Sequence, residues 1–252
     1  MKLGFSPLTA GLDYRQSFEL AAKEGAFLEV PYDVHEMDPR VPGARELLEM
    51  GRAAGVGFTV HLPFVDLNIA SLVPGVWQLS LERTQRGIDF AQTIGAECGV
   101  LHTGLSPLPL PEVVQESKKR LQEALSQLEL GIPVALENLV LSSQDLLQQP
   151  AELVEFLSLN PHYGFCLDVG HALVELGPGG WERYYGLLSG RLIHFHLHDN
   201  DGSSDQHLVC GEGKVDWAWV RARLQDFSGT AALETTQGAE GVRRSFALLR
   251  GQ

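Results

Sequence analysis

Nitrogen and oxygen donors recur in this chain at the ends of short apolar runs. The runs read Thr59-Val60-His61, Val100-Leu101-His102, Val134-Ala135-Leu136-Glu137-Asn138, Phe165-Cys166-Leu167-Asp168-Val169-Gly170-His171, Ile193-His194-Phe195-His196-Leu197-His198-Asp199 and Ala231-Ala232-Leu233-Glu234. Imidazoles and carboxylates gathered almost without Lys or Arg form a nest for cations. Left bare, they would crowd negative charge and waste buried hydrogen-bonding capacity, whereas divalent ions satisfy both. The mixed N/O set suits zinc, manganese, iron or cobalt and needs no thiolate. A single such histidine, His102 for instance, is ordinarily a hydrogen-bonded core or rim residue. The same pattern at the ends of six runs is hard to explain by packing. His35 and His162 lack that support and read as surface residues.

The elements that must position these groups follow from the apolar pattern. Strands are expected at Leu3 to Ser6, Phe27 to Pro31, Phe58 to Leu62, Gly99 to His102, Pro133 to Glu137, Gly164 to Asp168, Leu192 to Leu197 and Ala231 to Glu234. Segments of helical period follow them, among them Arg15 to Lys23, Ala44 to Ala54, Val76 to Thr93, Glu112 to Leu128, Ala151 to Leu157 and Trp217 to Leu224. Gly25, Gly55, Gly95 and Gly131 stand where helices hand over to strands, as left-handed helix ends require. Eight strands, eight helices and no Gly/Ser-rich or Pro-rich linker predict one α/β domain over residues 1–252, a (β/α)8 TIM barrel. Every donor-rich run then ends at the carboxyl mouth, where barrel enzymes hold their chemistry. The longest polar connection, Asp199 to Asp216, is expected to be a functional loop.

Bulk properties narrow the partners. At 252 residues, with 44% hydrophobic and 20% charged residues, the chain has the composition of a folded soluble protein. A net charge of −13 argues against binding to nucleic acid backbones or anionic lipid. Cys98, Cys166 and Cys210 are odd in number and form no C-x-x-C pair, so a reducing compartment fits best. The absence of a leader-like amino terminus and of any long apolar run leads to a cytoplasmic expectation, with no membrane partner. The oligomeric state is left open. Gly177-Pro178-Gly179-Gly180 lacks a P-loop lysine and reads as a turn, no Gly-rich fingerprint indicates a nucleotide cofactor, and Ser142-Ser143 lacks a nucleophile-elbow frame. Phe64, Trp77 and Trp181 read as packing residues that could also wall the mouth.

With those residues in view, the chain resembles the xylose isomerase-like barrel superfamily, and within it the endonuclease IV (AP endonuclease 2) branch, along essentially its whole length. His196-Leu197-His198-Asp199, then Asp205-Gln206-His207, then Gly211-Glu212-Gly213 are similar to that branch's H-L-N-D, D-R-H and G-E-G segments. The resemblance implies that His61, His102, Glu137, Asp168, His171, His196, Asp205, His207 and Glu234 hold two or three divalent ions, zinc first. It further implies that Glu137 and Glu234 are bridging catalytic carboxylates, with Glu137 also orienting the attacking hydroxide. His194, His196 and His198 share strand parity; His196 begins the motif, and His194 or His198 remain alternatives for its role.

The superfamily also contains sugar epimerases of the tagatose 3-epimerase type, which use two Glu, one Asp and one His around a single metal. Glu137, Asp168, His196 and Glu234 would fill that set, leaving His61, His102, Asp205 and His207 as surplus. An arginine six residues after the metal-binding histidine of that type is Gly202 here. Against DNA repair, Val30-Pro31-Tyr32-Asp33-Val34-His35-Glu36 has no arginine where endonuclease IV carries a duplex-penetrating loop, and Gln206 replaces an arginine. The expectation is therefore a metal-dependent hydrolase of a phosphodiester or phosphoester. Its substrate would be small or nucleotide-like, the cobamide nucleotide loop among the candidates. A sugar or sugar-phosphate isomerase or epimerase is the first alternative, and an AP endonuclease the second.

Overall fold

Eight short runs of mainly apolar residues pair in parallel and close on themselves: β1 (Lys2–Phe5), β2 (Phe27–Pro31), β3 (Phe58–His61), β4 (Gly99–Leu101), β5 (Val134–Glu137), β6 (Gly164–Asp168), β7 (Leu192–Leu197) and β8 (Thr230–Leu233). Each strand neighbours the next in sequence, and β8 returns to β1, so the sheet is a closed barrel. This computed structural model describes residues 2–140 and 142–252; Met1 and Leu141 lie outside the description. The expected TIM barrel is the observed fold, and every expected strand bound lies within one residue of the observed one.

Strand periodicity sorts the side chains into two environments. Leu28, Val60, Leu101, Leu136, Leu167, Phe195 and Leu233 face outward into the main apolar core beneath the helices. Val100, Ala135 and Cys166, one residue out of phase, make a small separate cluster inside the barrel. The interior positions two residues further along β5 and β6 are Glu137 and Asp168. Outside, Phe195 meets Phe227 edge-on with ring centres 5.0 Å apart.

The helices are α1 (Pro7–Ala10), α2 (Tyr14–Glu24), α3 (Tyr32–Met37), α4 (Ala44–Ala54), α5 (Pro74–Ile94), α6 (Pro111–Gln127), α7 (Pro150–Leu159), α8 (Val169–Leu176), α9 (Gly180–Leu188), α10 (Trp217–Gln225) and α11 (Gly238–Arg250). Eleven α-helices among the described residues, rather than eight, correct the expected count. The additions include α1, α3 and α8, short turns that curl almost directly from the carboxyl ends of β1, β2 and β6 and carry no long apolar stripe to announce them. Gly25, Gly55 and Gly95 end their helices in the left-handed conformation as expected, but Gly131 does not. There α6 has already ended at Gln127, so Gly131 stands in the turn beyond the helix and not at its cap. Among the described residues no helix is long and apolar enough to cross a membrane.

Candidate metal centre

Strand ends and the turns after them deliver the donors to one mouth. His61 closes β3, His102 follows β4, Glu137 closes β5, Asp168 closes β6 and Glu234 follows β8. Asp168 also caps α8, accepting from the His171 backbone N–H at 2.7 Å, so the three-residue spacing of this pair is that of a helix N-cap. Asp205 and His207 arrive on the connection after β7. That connection is held by the fully buried Asp199, whose carboxylate accepts from the backbone N–H of Asn200 (3.0 Å), Gly211 (2.8 Å) and Val215 (3.1 Å) and from Trp217 Nε1 (2.7 Å). His207 sits at φ 49°, in the left-handed region that residues other than glycine seldom adopt.

All nine residues singled out from the sequence converge here, in three adjoining groups. In the first, Glu137 Oε2 faces His102 Nε2 at 3.2 Å and His61 Nε2 at 3.8 Å. In the second, His196 Nδ1 faces Glu137 Oε1 at 2.9 Å, Glu234 Oε2 at 3.6 Å and Asp168 Oδ2 at 3.8 Å. In the third, Asp205 Oδ2 faces His207 Nε2 at 3.0 Å and His171 Nε2 at 3.4 Å. Glu137 belongs to the first two groups and is almost fully buried.

The three seventh-strand histidines take different places. His196 is central. His194, expected with the others at the mouth, lies deeper in the barrel, with Nε2 3.0 Å from Glu29 and Nδ1 2.6 Å from Thr230 Oγ1. Two residues before His196, it is one strand repeat further from the carboxyl end. His198 joins the third group, with Nε2 3.1 Å from Asp168 and 3.5 Å from Asp205 and its ring stacked on His207 at 4.2 Å. Its ring lies against Gly170, where a Cβ would come within 2.5 Å of His198 Nδ1.

Ring orientation is fixed by backbone carbonyls. His61 Nδ1 lies 3.0 Å from the Leu62 carbonyl, His171 Nδ1 2.9 Å from that of Asn138 and His207 Nδ1 2.6 Å from that of Glu234. A carbonyl can only accept, so each Nδ1 carries the proton and each Nε2 turns into the mouth, the arrangement that prepares a neutral imidazole to ligate a cation. Glu137 Oε2 and Asp205 Oδ1 are buried and make no hydrogen bond. Such orphaned lone pairs and this donor chemistry fit divalent ions.

Electrostatics agree. Burial pushes the Glu137 carboxyl up, but the imidazoles of His196 and His102 outweigh it and hold the group well below the usual carboxylate range. Burial likewise opposes the lowered Asp205, which His171 and His207 keep ionised. Burial alone would lower His207, yet Asp205 carries it up to about 9. Burial holds the Cys166 thiol well above its ordinary value, so it stays protonated beneath the site.

Other expectations resolve individually. His162 is exposed, but His35 is half-buried between Tyr14 and Phe90, which corrects its reading as a surface residue: the turn of α3 folds it inward. Phe64 walls the mouth, its ring 4.9 Å from His61 and 4.6 Å from His102, on a turn whose backbone N–H groups at Phe64 and Val65 donate to Asp33. Trp77 and Trp181 are buried packing residues. Gly177 and Gly179 take positive φ between α8 and α9, a turn as expected. Sequence reasoning missed Glu29 altogether. It lies mid-strand in Phe27-Leu28-Glu29-Val30-Pro31, an ionisable residue in a strand buried throughout, and that was the available signal.

The sequence profile of the xylose isomerase-like TIM barrel family matches residues 16–252. A probable endonuclease 4 of Mycobacterium ulcerans is 26% identical over 222 residues, covering 84% of this chain and 84% of that one. The crystal structure of a D-tagatose 3-epimerase-like protein superposes with a TM-score of 0.84 at 27% identity, over 100% of this chain and 96% of the other. A Thermus thermophilus protein whose crystals were soaked with ZnCl2 superposes with a TM-score of 0.72 at 25% identity, over 100% of this chain and 97% of the other. Likeness to both an endonuclease and an epimerase-like protein accords with a mouth that contains the four-residue set and more, and the chain belongs to the xylose isomerase-like TIM barrel family.

Proposed function

We propose that this protein is a metal-dependent hydrolase of a small or nucleotide-like phosphodiester or phosphoester. The observation that carries the reading is the number and grouping of donors: nine residues in three adjoining groups, the first two sharing Glu137, offer more than the six positions an octahedral ion can use. A single-ion isomerase would leave His61, His102, Asp205 and His207 without work. Zinc, manganese, iron or cobalt ions bound here would supply a water acidified toward neutrality and positive charge for the phosphoryl oxygens.

The chain's own residues would do the rest. Glu137, with one oxygen toward His196 and the other toward His61 and His102, bridges the first two groups and orients the attacking water between them. Glu234, which faces the same nitrogen of His196 and lines the cavity, holds that water's proton. Phe64 bounds an apolar part of the substrate beside His61 and His102. A cavity of about 230 Å³, with neither Lys nor Arg in its lining, suits a compact ester better than duplex DNA.

A second reading, a sugar epimerase, draws support from the D-tagatose 3-epimerase-like structure and from Glu137, Asp168, His196 and Glu234 around one position. Metal analysis with turnover of bis(p-nitrophenyl) phosphate separates the two. Two or more ions per chain and hydrolysis are expected. One ion per chain with solvent deuterium entering a ketose, and no hydrolysis, would replace the hydrolase with the epimerase.

A further inference from the structure

We propose that Glu29, on β2 beneath the mouth, is the positioning residue that fixes the proton of His196 on Nε2 and so leaves Nδ1 bare for the central cation. The inference rests on His196 being a cation ligand, which both readings above share. Interior layers of such barrels are ordinarily filled by bulky apolar side chains. Glu29 is fully buried in that layer, where a methionine or leucine of similar volume would pack without the cost of desolvating a carboxylate. Something other than packing retains it.

Its contacts indicate what. Thr59 Oγ1 donates to Glu29 Oε2 at 2.9 Å, and His194 Nε2 lies 3.0 Å from the same oxygen. His194 is itself held through Nδ1 by Thr230 Oγ1. Clamped from that side, the carboxylate brings Oε1 to 2.9 Å from His196 Nε2, an ion-pair distance that is off the line of a hydrogen bond while no cation holds the ring. The other nitrogen, Nδ1, is hydrogen-bonded to Glu137 Oε1 at 2.9 Å and faces Glu234 and Asp168, so the central cation would take the place of the Nδ1 proton. An imidazole that ligates through Nδ1 must keep its proton on Nε2, and a carboxylate there both selects that tautomer and makes the ligating nitrogen more basic. His61, His171 and His207 use the opposite orientation, with Nδ1 tied to a backbone carbonyl. His196 is thus turned end for end and anchored by a charged group. In Glu29→Gln the amide could donate to Nε2 and favour the tautomer whose Nδ1 carries the proton, closing the nitrogen that faces the central group.

Zinc titration of the whole chain against a chromophoric chelator tests this in wild type and Glu29→Gln, with circular dichroism and melting recorded in parallel. The expected result is a roughly 10- to 100-fold weaker zinc at the central group with the remaining sites unchanged. A variant that melts lower but binds zinc as wild type does would show Glu29 to be merely structural and overturn the inference alone. Wild type that takes up no zinc would overturn it together with the ligand role of His196. Long-range ¹H–¹⁵N correlation on zinc-loaded wild type keeps the test open should the variant fail to fold. A protonated Nε2 on His196 supports the inference, and a protonated Nδ1 refutes it.

Discussion

Replacing Gly170 with alanine probes the third donor group through one contact. Gly170 lies in the first turn of α8, where alanine would ordinarily gain up to about 1 kcal/mol over glycine. Here the new Cβ would stand 2.5 Å from His198 Nδ1 and 2.6 Å from its Nε2, against the 3.4 Å at which ordinary contact begins. The ring, whose Cε1 would be nearer still, must retreat by more than about 1 Å, and because His198 is fully buried, the retreat strains its surroundings. Overpacking of that kind costs about 1–3 kcal/mol, so the net loss is roughly 0–2 kcal/mol. The functional loss should be larger than the stability loss, since His198 stacks on His207 and faces both Asp168 and Asp205. Gly186→Ala is the control: that residue is exposed in α9, a Cβ there would meet nothing within 4 Å, and the change should stabilise by up to about 1 kcal/mol. Urea unfolding of both variants, with zinc counted per chain, gives the answer. Equal stabilisation by the two substitutions, with full zinc in both, would refute the packing of His198 against Gly170.

Glu137→Gln keeps the shape of the side chain but removes the charge shared by two groups; the fold should persist while turnover falls by more than about 100-fold, and steady-state kinetics on an active preparation would expose the opposite result. Asp199→Asn presents an amide to some of the four N–H donors that its carboxylate now satisfies, so a loss of about 2–4 kcal/mol and faster hydrogen exchange across residues 200–216 are expected, measured by melting and mass spectrometry. Burial depresses His35 to about 4, with its Nε2 hydrogen-bonded to the Tyr14 hydroxyl at 3.2 Å. Between that value and 6.5 the unfolded chain binds the extra proton, so stability is complete above 6.5 and declines as pH falls toward 4. The effect is bounded by about 3 kcal/mol and reduced by solvent screening at this half-buried ring, and melting curves of His35→Phe should be flatter than wild type over that interval.

The barrel was readable because a parallel strand buried on both faces leaves a near-continuous apolar run, and eight of them are separated by helical periods. Short helices such as α1 and α3 have too few residues to display a periodicity and surfaced only in the structure. At the site, strand-end position identified most donors, and the same rule hid Glu29, which lies in mid-strand. Parity alone could not rank His194, His196 and His198. Their separation depends on depth along the barrel axis, and depth is set by the register of β7 against β6 and β8, where His196 pairs with Asp168 and Ala232. Nothing within the sequence of β7 states that register.

The cavity of this protein is lined by carboxylates and imidazoles with no fixed cationic side chain. On the hydrolase reading, an anionic ester would enter this cup without help from any lysine or arginine, so bound ions would favour its capture. Recognition and metal uptake would then be coupled on that reading, and a titration of substrate binding should trace the same curve as the titration of metal.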